Sequence, residues 1–254
     1  LGPHAAFIVI ASILSVQALF FADGGLLALG CNIWNLGVYP CFIAYPFVYI
    51  PLMRGIRGRK GIVIASVLSS VLALQLGAFS VVLQTLLSGR TSLPASPFMF
   101  TMLLIHLAIG CAEGFITAGI IGYVSKVRPE IMENIPVSKK ALLPAFLFFA
   151  LITGGVLTLF TSTSPDGLEW SLEKVTGKSE PDGENAIAFA LKKIQGKISV
   201  FPDYDFKSQK TDEKEEWPNI RAGRSLSGII GSVAVLCVVT MIGLSIRFFR
   251  HKRK

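Results

Sequence analysis

Asp23, Asn32 and Asn35 bring one carboxylate and two amides into Phe21-Ala-Asp-Gly-Gly-Leu-Leu-Ala-Leu-Gly-Cys-Asn-Ile-Trp-Asn35, a stretch otherwise apolar enough for lipid. Irregular backbone at membrane depth is tolerated only where it is buried in protein or lines a cavity. Polar groups there are costly and mark substrate paths. Two readings follow. Asp23 caps a helix boundary, with Gly24-Gly25 as a turn, or Asp23, Asn32 and Asn35 brace an outward-facing site on a broken helix.

A second cluster lies in His106-Leu-Ala-Ile-Gly-Cys-Ala-Glu-Gly-Phe-Ile-Thr117. His106, Gly110, Glu113 and Thr117 recur at i, i+4, i+7 and i+11 and share one helix face. Gly110, Gly114, Ala118 and Gly122 form a small-residue ridge that admits a neighbouring helix backbone. An unpaired carboxylate at mid-span is expensive, so Glu113 is expected in an interhelical hydrogen-bond network, in a substrate path, or against a metal. Trp34 and Tyr39 suit an interfacial belt. His4 and His251 are poor ligand candidates, and four scattered cysteines (Cys31, Cys41, Cys111, Cys237) read as small core residues.

The elements that must hold these residues are membrane helices. Hydrophobic residues make up 52% of the 254 and charged residues 16%, and mean hydropathy is +0.61; a soluble domain carries about a quarter charged residues. The fold class is all-α, a polytopic helical membrane protein with about six transmembrane segments, at 4–22, 37–53, 62–88, 98–124, 141–160 and 226–246. Pro40, Pro46 and Pro51 predict a kinked second segment. The net charge of +8 is no nucleic-acid footprint: residues 162–225 hold ten Lys/Arg against twelve Asp/Glu, and the excess sits in short loops and at the C-terminus.

Three basic clusters orient the chain. Arg54, Arg57, Arg59 and Lys60 follow the second segment, Lys126, Arg128, Lys139 and Lys140 the fourth, and Arg247, Arg250, Lys252, Arg253 and Lys254 the sixth. Strict alternation puts all three on one side, the cytoplasm. Region 162–225 is then a small extracytoplasmic domain before the last helix. Within it, Asp166-Gly-Leu-Glu169 predicts a helix start with Asp166 as N-cap and Glu169 completing a capping box, and Gly177 a stop. A second start near Pro181-Asp-Gly-Glu184 should lead into an amphipathic Ala186–Ile194, with 202–219 charged and loose.

The stretch around Asp23 resembles the "ADGGLLALGAN-a-aN-G" signature of the CbiM/NikM family, the substrate-capture membrane components of energy-coupling-factor cobalt and nickel transporters. The pattern from His106 to Thr117 is similar to the family's "H-a-x-x-G-x-x-EG-x-IT". From Ala141 onward Ser164-Pro165-Asp166-Gly167-Leu168-Glu169 resembles the PDGLE motif of small two-helix proteins, found alone or fused behind CbiM, whose role is similar to that of the accessory subunit NikN or CbiN. The domains read as 1–128, CbiM/NikM-like; 129–140, a cytoplasmic linker; and 141–254, PDGLE/NikN-like, two membrane helices flanking 162–225. The insert between Glu180 and Asn219 departs from compact versions of that module.

The resemblance implies capture of Ni²⁺ or Co²⁺ as transported substrate at the outer face, with nickel favoured because of the fusion and cobalt for cobalamin biosynthesis next. It implies no permanently bound cofactor and no metal ligand within this sequence. Full-length relatives begin with a Met-His-Ile-Pro-Asp-Gly-like sequence and carry a Gly-Thr-Ser-Gly-His-like loop before a Gly-Pro that matches Gly2-Pro3. The family ligands are nitrogens of those segments, which precede Leu1, so the chain is expected to be an N-terminally truncated fragment. Asp23, Asn32, Asn35, His106, Glu113 and Thr117 are then substrate-path or supporting residues, and Pro165 to Glu169 the second motif. With no GxxxxGK[ST] loop in the sequence, the coupling transmembrane subunit and the ABC ATPase subunits are expected on separate chains, in a cell (inner) membrane protein with a cytoplasmic C-terminus. Other partners are the lipid bilayer and no nucleic acid. Two alternatives are an intramembrane enzyme using His106 and Glu113, which lacks a second His or a GxSxG-like nucleophile, and a non-transporting membrane assembly module.

Overall fold

The computed structural model describes residues 2–89, 93–127, 139–162, 164–178, 186–206 and 222–252. Every regular element among them is helical. Five helical stretches are long and apolar enough to cross a membrane: Pro3–Phe21, Leu29–Gly55, Gly58–Leu87, Ala95–Val127 and Ala222–Phe249. The segment expected at 141–160 is shorter, a helix over Lys139–Gly155 with Pro144 inside it, followed by a 3₁₀ turn at Leu157–Phe160.

The chain divides into two compact units. One comprises Leu1–Phe7, Cys31–Val137 and Ser164–Gly183; the other comprises Ile8–Gly30, Ser138–Thr163 and Glu184–Lys254. One boundary between the units, Val137/Ser138, falls inside the 129–140 junction, and the chain also passes between units after Phe7, Gly30, Thr163 and Gly183.

In the first unit, α2 (Leu29–Ile33) runs into a π-helical stretch, Trp34–Tyr49, and then α3 (Ile50–Gly55). The prolines expected to distort this span fall in the wider winding. Pro40 and Pro46 lie inside the π-helix, where a shifted hydrogen-bond register accommodates residues that have no N–H to donate. The helix also begins at Leu29 and not at 37, so Asn32 and Asn35 are helical and the break in the chain falls before them. α4 (Gly58–Leu87) and α5 (Ala95–Val127) form the principal hairpin. A Cβ on Gly110 would lie 2.9 Å from the Cα of Val71, and one on Gly114 only 2.5 Å from the Cα of Val67. Only hydrogen fits between these backbones, as the small-residue ridge predicted. Ala118 is also buried, whereas a Cβ on Gly122 meets nothing within 4 Å, so the ridge ends before it. Pairing of 67 with 114 and 71 with 110 is antiparallel. It places the basic α3–α4 turn and Lys126 at the same end of the hairpin, as the charge pattern requires.

α7 (Gly167–Thr176) belongs to the same unit. Its Leu172 joins Ala78, Val82, Phe98 and Met102 in a core of buried residues. Asp166 caps it as predicted: the Glu169 amide donates to Asp166 Oδ1 at 2.8 Å, and the Asp166 amide donates to Glu169 Oε2 at 3.2 Å. Gly177 ends it in the left-handed conformation, φ 76°.

The second unit holds most of α1 (Pro3–Val16), its π-helical end Gln17–Phe21, α6 (Lys139–Gly155), α8 (Ala186–Ile198) and α9 (Ala222–Lys252). α6 and α9 cross where Gly154 faces Gly228; a Cβ on Gly228 would fall 2.0 Å from the Gly154 carbonyl oxygen. The amphipathic helix expected at 186–194 is α8, extended to Ile198. Its proposed start at 181–184 lies outside the described residues, as do 207–219. Residues 202–206, expected to be loose, are instead packed: Phe201 is buried with Val16 and Phe21, and Tyr204 lies against that cluster. The cysteine reading needs a correction. All four cysteines sit in helices, but only Cys41 is buried, while Cys31 and Cys237 are exposed.

Candidate functional site

His106 is held from two directions. Within α5 its Nδ1 shares a hydrogen with the Met102 carbonyl at 2.8 Å, which fixes the ring. The first residue of α7 then lies against it: a Cβ on Gly167 would sit 2.8 Å from His106 Cε1, 3.1 Å from Nε2 and 3.2 Å from Ile109 Cδ1. The second motif thus has a physical reading. Pro165 and the capping pair Asp166/Glu169 start the helix, Gly167 permits close approach to the imidazole, and Leu168 follows on the exposed side. Leu172, one turn on, anchors the helix in the core. Sequence reasoning singled out His106 and Gly167 separately; the structure brings them together.

Glu113 and Thr117 behave differently. Both are exposed, although Gly110, Gly114 and Ala118 beside them are buried. At about 100° per residue, the ridge against α4 and the His106 flank diverge, and the atoms nearest a Cβ on Gly167 belong to His106 and Ile109. The interhelical network expected for Glu113 is not formed, since no hydrogen bond ties it to another helix among the described residues.

The first motif is supported at two places. Asn35 is buried and exchanges hydrogen bonds with Gln84: Asn35 Nδ2 donates to Gln84 Oε1 at 2.9 Å, and Gln84 Nε2 donates to Asn35 Oδ1 at 3.2 Å. Gly77 lets α4 approach here, since its Cβ would meet the Asn35 carbonyl oxygen at 3.0 Å. Asn32 lies in α2, partly buried. Trp34 is half exposed and its Nε1 donates to the Tyr39 hydroxyl at 3.3 Å, an arrangement that suits the interfacial placement; that hydroxyl also pairs with Ser80.

Asp23 occupies the break between α1 and α2. Ala22, Gly24 and Gly25 are all left-handed, at φ 57°, 77° and 63°. The Tyr204 hydroxyl donates to Asp23 Oδ2 at 2.5 Å, and Gln17 Nε2 donates to Tyr204 at 3.0 Å and to Asp23 Oδ2 at 3.4 Å. Burial and the Asp23 hydrogen bond hold the Tyr204 phenol well above the ordinary tyrosine range. Tyr204, Gln17 and Gln84 were missed by sequence reasoning. The signal for Tyr204 was present in Phe201-Pro-Asp-Tyr-Asp-Phe206, an aromatic run inside a charged insert. Among the described residues no group of three or more His, Cys, Asp or Glu is placed to hold a metal ion.

Residues 1–131 match the family model described as the cobalt uptake substrate-specific transmembrane region, CbiM, and residues 140–248 match the PDGLE domain. An inferred fused nickel transport protein NikMN of Archaeoglobus fulgidus is 30% identical over 242 residues, covering 94% of this chain and 71% of the relative. The fused nickel transport protein NikMN of Rhodobacter capsulatus is 33% identical over 145 residues, 52% of this chain and 42% of that protein. The cobalt transport protein CbiM of Sorangium cellulosum is 29% identical over 153 residues, 56% of this chain and 63% of that protein. The chain thus spans from under half to about seven tenths of the length of these relatives. No solved structure matches. The chain belongs to the CbiM family of nickel and cobalt transport proteins and carries a PDGLE domain behind its CbiM region.

Proposed function

We propose that this chain is the metal-capturing membrane subunit of an energy-coupling-factor importer for Ni²⁺ or Co²⁺, with nickel favoured. One observation carries the reading: the similarity to a fused nickel transport protein runs through 94% of this chain, CbiM region and PDGLE segment together. The helix begun by the PDGLE motif is seated on His106, which supports a fused accessory module acting on the capture module within one chain. His106, with one nitrogen engaged and its Cε1–Nε2 edge covered, acts as a positioning residue. Asp23, Asn32, Asn35, Glu113 and Thr117 support or line the substrate path. ATPase subunits and a coupling transmembrane subunit, on separate chains, drive opening toward the cytoplasm, and the basic ends, including the C-terminus, lie on that side.

Cobalt is the second reading, favoured by the CbiM match over residues 1–131 and by cobalt-transporting relatives aligned to that region. The test is uptake of radioactive nickel and cobalt by cells lacking their own importers, expressing the full coding sequence with its coupling and ATPase subunits. Nickel accumulation resistant to excess cobalt is expected. The absence of accumulation of either metal with all subunits present refutes the reading.

A further inference from the structure

Three residues other than glycine have positive φ in the described chain: Ala22 at 57°, Asp203 at 56° and Tyr204 at 62°. All three lie at one contact, where Tyr204 meets Asp23. For a residue as bulky as tyrosine this conformation is an outlier, and it persists only where the surroundings over-determine it. They do so here. The Ser227 hydroxyl, buried, donates to the Tyr204 carbonyl at 3.0 Å. The Tyr204 ring stacks on Phe21, centroids 4.7 Å apart, and Phe201 is buried beside Val16 and Phe21.

The same segment closes the end of α1. Helix ends leave carbonyls without intrahelical donors, and the π-helical end Gln17–Phe21 receives donors from the insert. The amides of Val200 and Phe201 both donate to the Phe20 carbonyl, at 2.9 and 3.0 Å. Gln195 Nε2, buried, donates to the Ala18 carbonyl at 2.9 Å. A segment inside a charged insert thus makes main-chain, amide, aromatic and phenol contacts with Gln17, Ala18, Phe20 and Phe21 at the end of α1 and with Asp23 itself.

We propose that Gln195–Tyr204 is a clasp that positions the Asp23 carboxylate, with Tyr204 as the positioning residue, so that the carboxylate is presented in one orientation to a divalent cation at the Asp23 turn. Gln17 donates to the phenol oxygen and the phenol donates to Oδ2, so the chain of bonds runs one way and ends on the carboxylate. The strained backbone sets the reach of the phenol, and Ser227 and Phe21 hold that backbone in place. The cation part of this inference rests on the transport reading; the clasp itself does not.

The test uses the protein in its complete transporter complex, in proteoliposomes, with Ni²⁺ and Co²⁺ as probes, alongside amide hydrogen exchange over residues 22–30. Tyr204→Phe keeps the stack on Phe21 and removes only the donor. It should accelerate exchange in 22–30 by about tenfold and raise the half-saturating metal concentration roughly three- to tenfold, the worth of one hydrogen bond. The maximal rate should stay within about twofold. Asp23→Asn should shift half-saturation alike, and the double variant should go no further. Unchanged exchange in Tyr204→Phe overturns the clasp, whatever uptake shows. A loss confined to the maximal rate, or a shift in Asp23→Asn that Tyr204→Phe does not share, overturns the positioning role. If wild-type protein takes up neither metal, the transport reading fails together with the cation part, and accelerated exchange in Tyr204→Phe still supports the clasp.

Discussion

Gly167→Ala is the most informative single perturbation of the motif contact. The added methyl would fall 2.8 Å from His106 Cε1 and 3.2 Å from Ile109 Cδ1, well inside van der Waals separation. Two relaxations are open. The imidazole can rotate, losing the 2.8 Å bond to the Met102 carbonyl, worth about 1 kcal/mol net. Alternatively the start of α7 can lift, loosening Leu172 in its core. Overpacking of this kind costs about 1–3 kcal/mol. Helix propensity works in the opposite direction: Gly167 is helical with no positive φ, so alanine gains up to about 1 kcal/mol over glycine. The net expectation is a destabilisation of about 1–2 kcal/mol. With His106→Ala the closest clash is gone and the approach to the flexible end of Ile109, 3.2 Å, is set against the propensity gain, so Gly167→Ala should become close to neutral. The coupling between the two sites is then about 1–3 kcal/mol. Thermal unfolding in detergent, read by Trp170 on α7 after Trp34 and Trp217 are replaced by phenylalanine, measures all four corners of the cycle. An equal cost of Gly167→Ala in both backgrounds would refute the contact.

Asp166→Ala removes the acceptor for the Glu169 amide and should lower stability by about 1 kcal/mol, with Asp166→Asn closer to wild type in the same unfolding assay. Gly114→Ala forces a methyl against the backbone of Val67 and should cost about 1–3 kcal/mol; Gly122→Ala, with open space around it, should cost nothing, and parity of the two would sink the reading of the ridge. The raised Tyr204 pKa means that its neutral form stabilises the fold fully below the unfolded value of about 10 and progressively less as pH rises toward the higher folded value. Denaturation midpoints should therefore fall over that alkaline range in wild type and fall less in Tyr204→Phe. If the basic ends are cytoplasmic, a cysteine replacing Gly58 should resist membrane-impermeant reagents in intact cells while one replacing Lys178 reacts; labelling of Gly58→Cys reverses the orientation.

Local features were read well from the sequence because their causes are local. The Asp166/Glu169 capping box, the Gly177 stop, the Gly110/Gly114 ridge and the apolar spans all follow from residue types at fixed offsets. What failed required a partner. Glu113 was expected in a network, in a substrate path or against a metal because a mid-span carboxylate is costly. No interhelical hydrogen bond holds it among the described residues, since the neighbouring backbone runs along the ridge beside it and leaves that flank exposed. Proline in the second span was read as a kink; the π-helical winding of Trp34–Tyr49 was not read, and its contacts, Asn35 with Gln84 and Tyr39 with Ser80, are long-range. The segment 202–206 looked loose by charge. Its order comes from long-range acceptors, the carbonyls at the end of α1 and Asp23, which no window of sequence around Tyr204 contains.

The interleaving of the two packed units bears on what fusion of the two regions achieves. A strand break between 128 and 138 would leave α7 on a separate polypeptide from the α4–α5 hairpin it completes, and α1 on a separate polypeptide from α9. Each docking event would become bimolecular and dependent on the abundance of two gene products. Covalent linkage replaces that dependence with a fixed effective concentration and a fixed one-to-one ratio, independent of expression level. A cleavable site placed there should therefore yield halves that stay together in dense membranes and separate on dilution into excess lipid, with the fluorescence of Trp170 reporting their release.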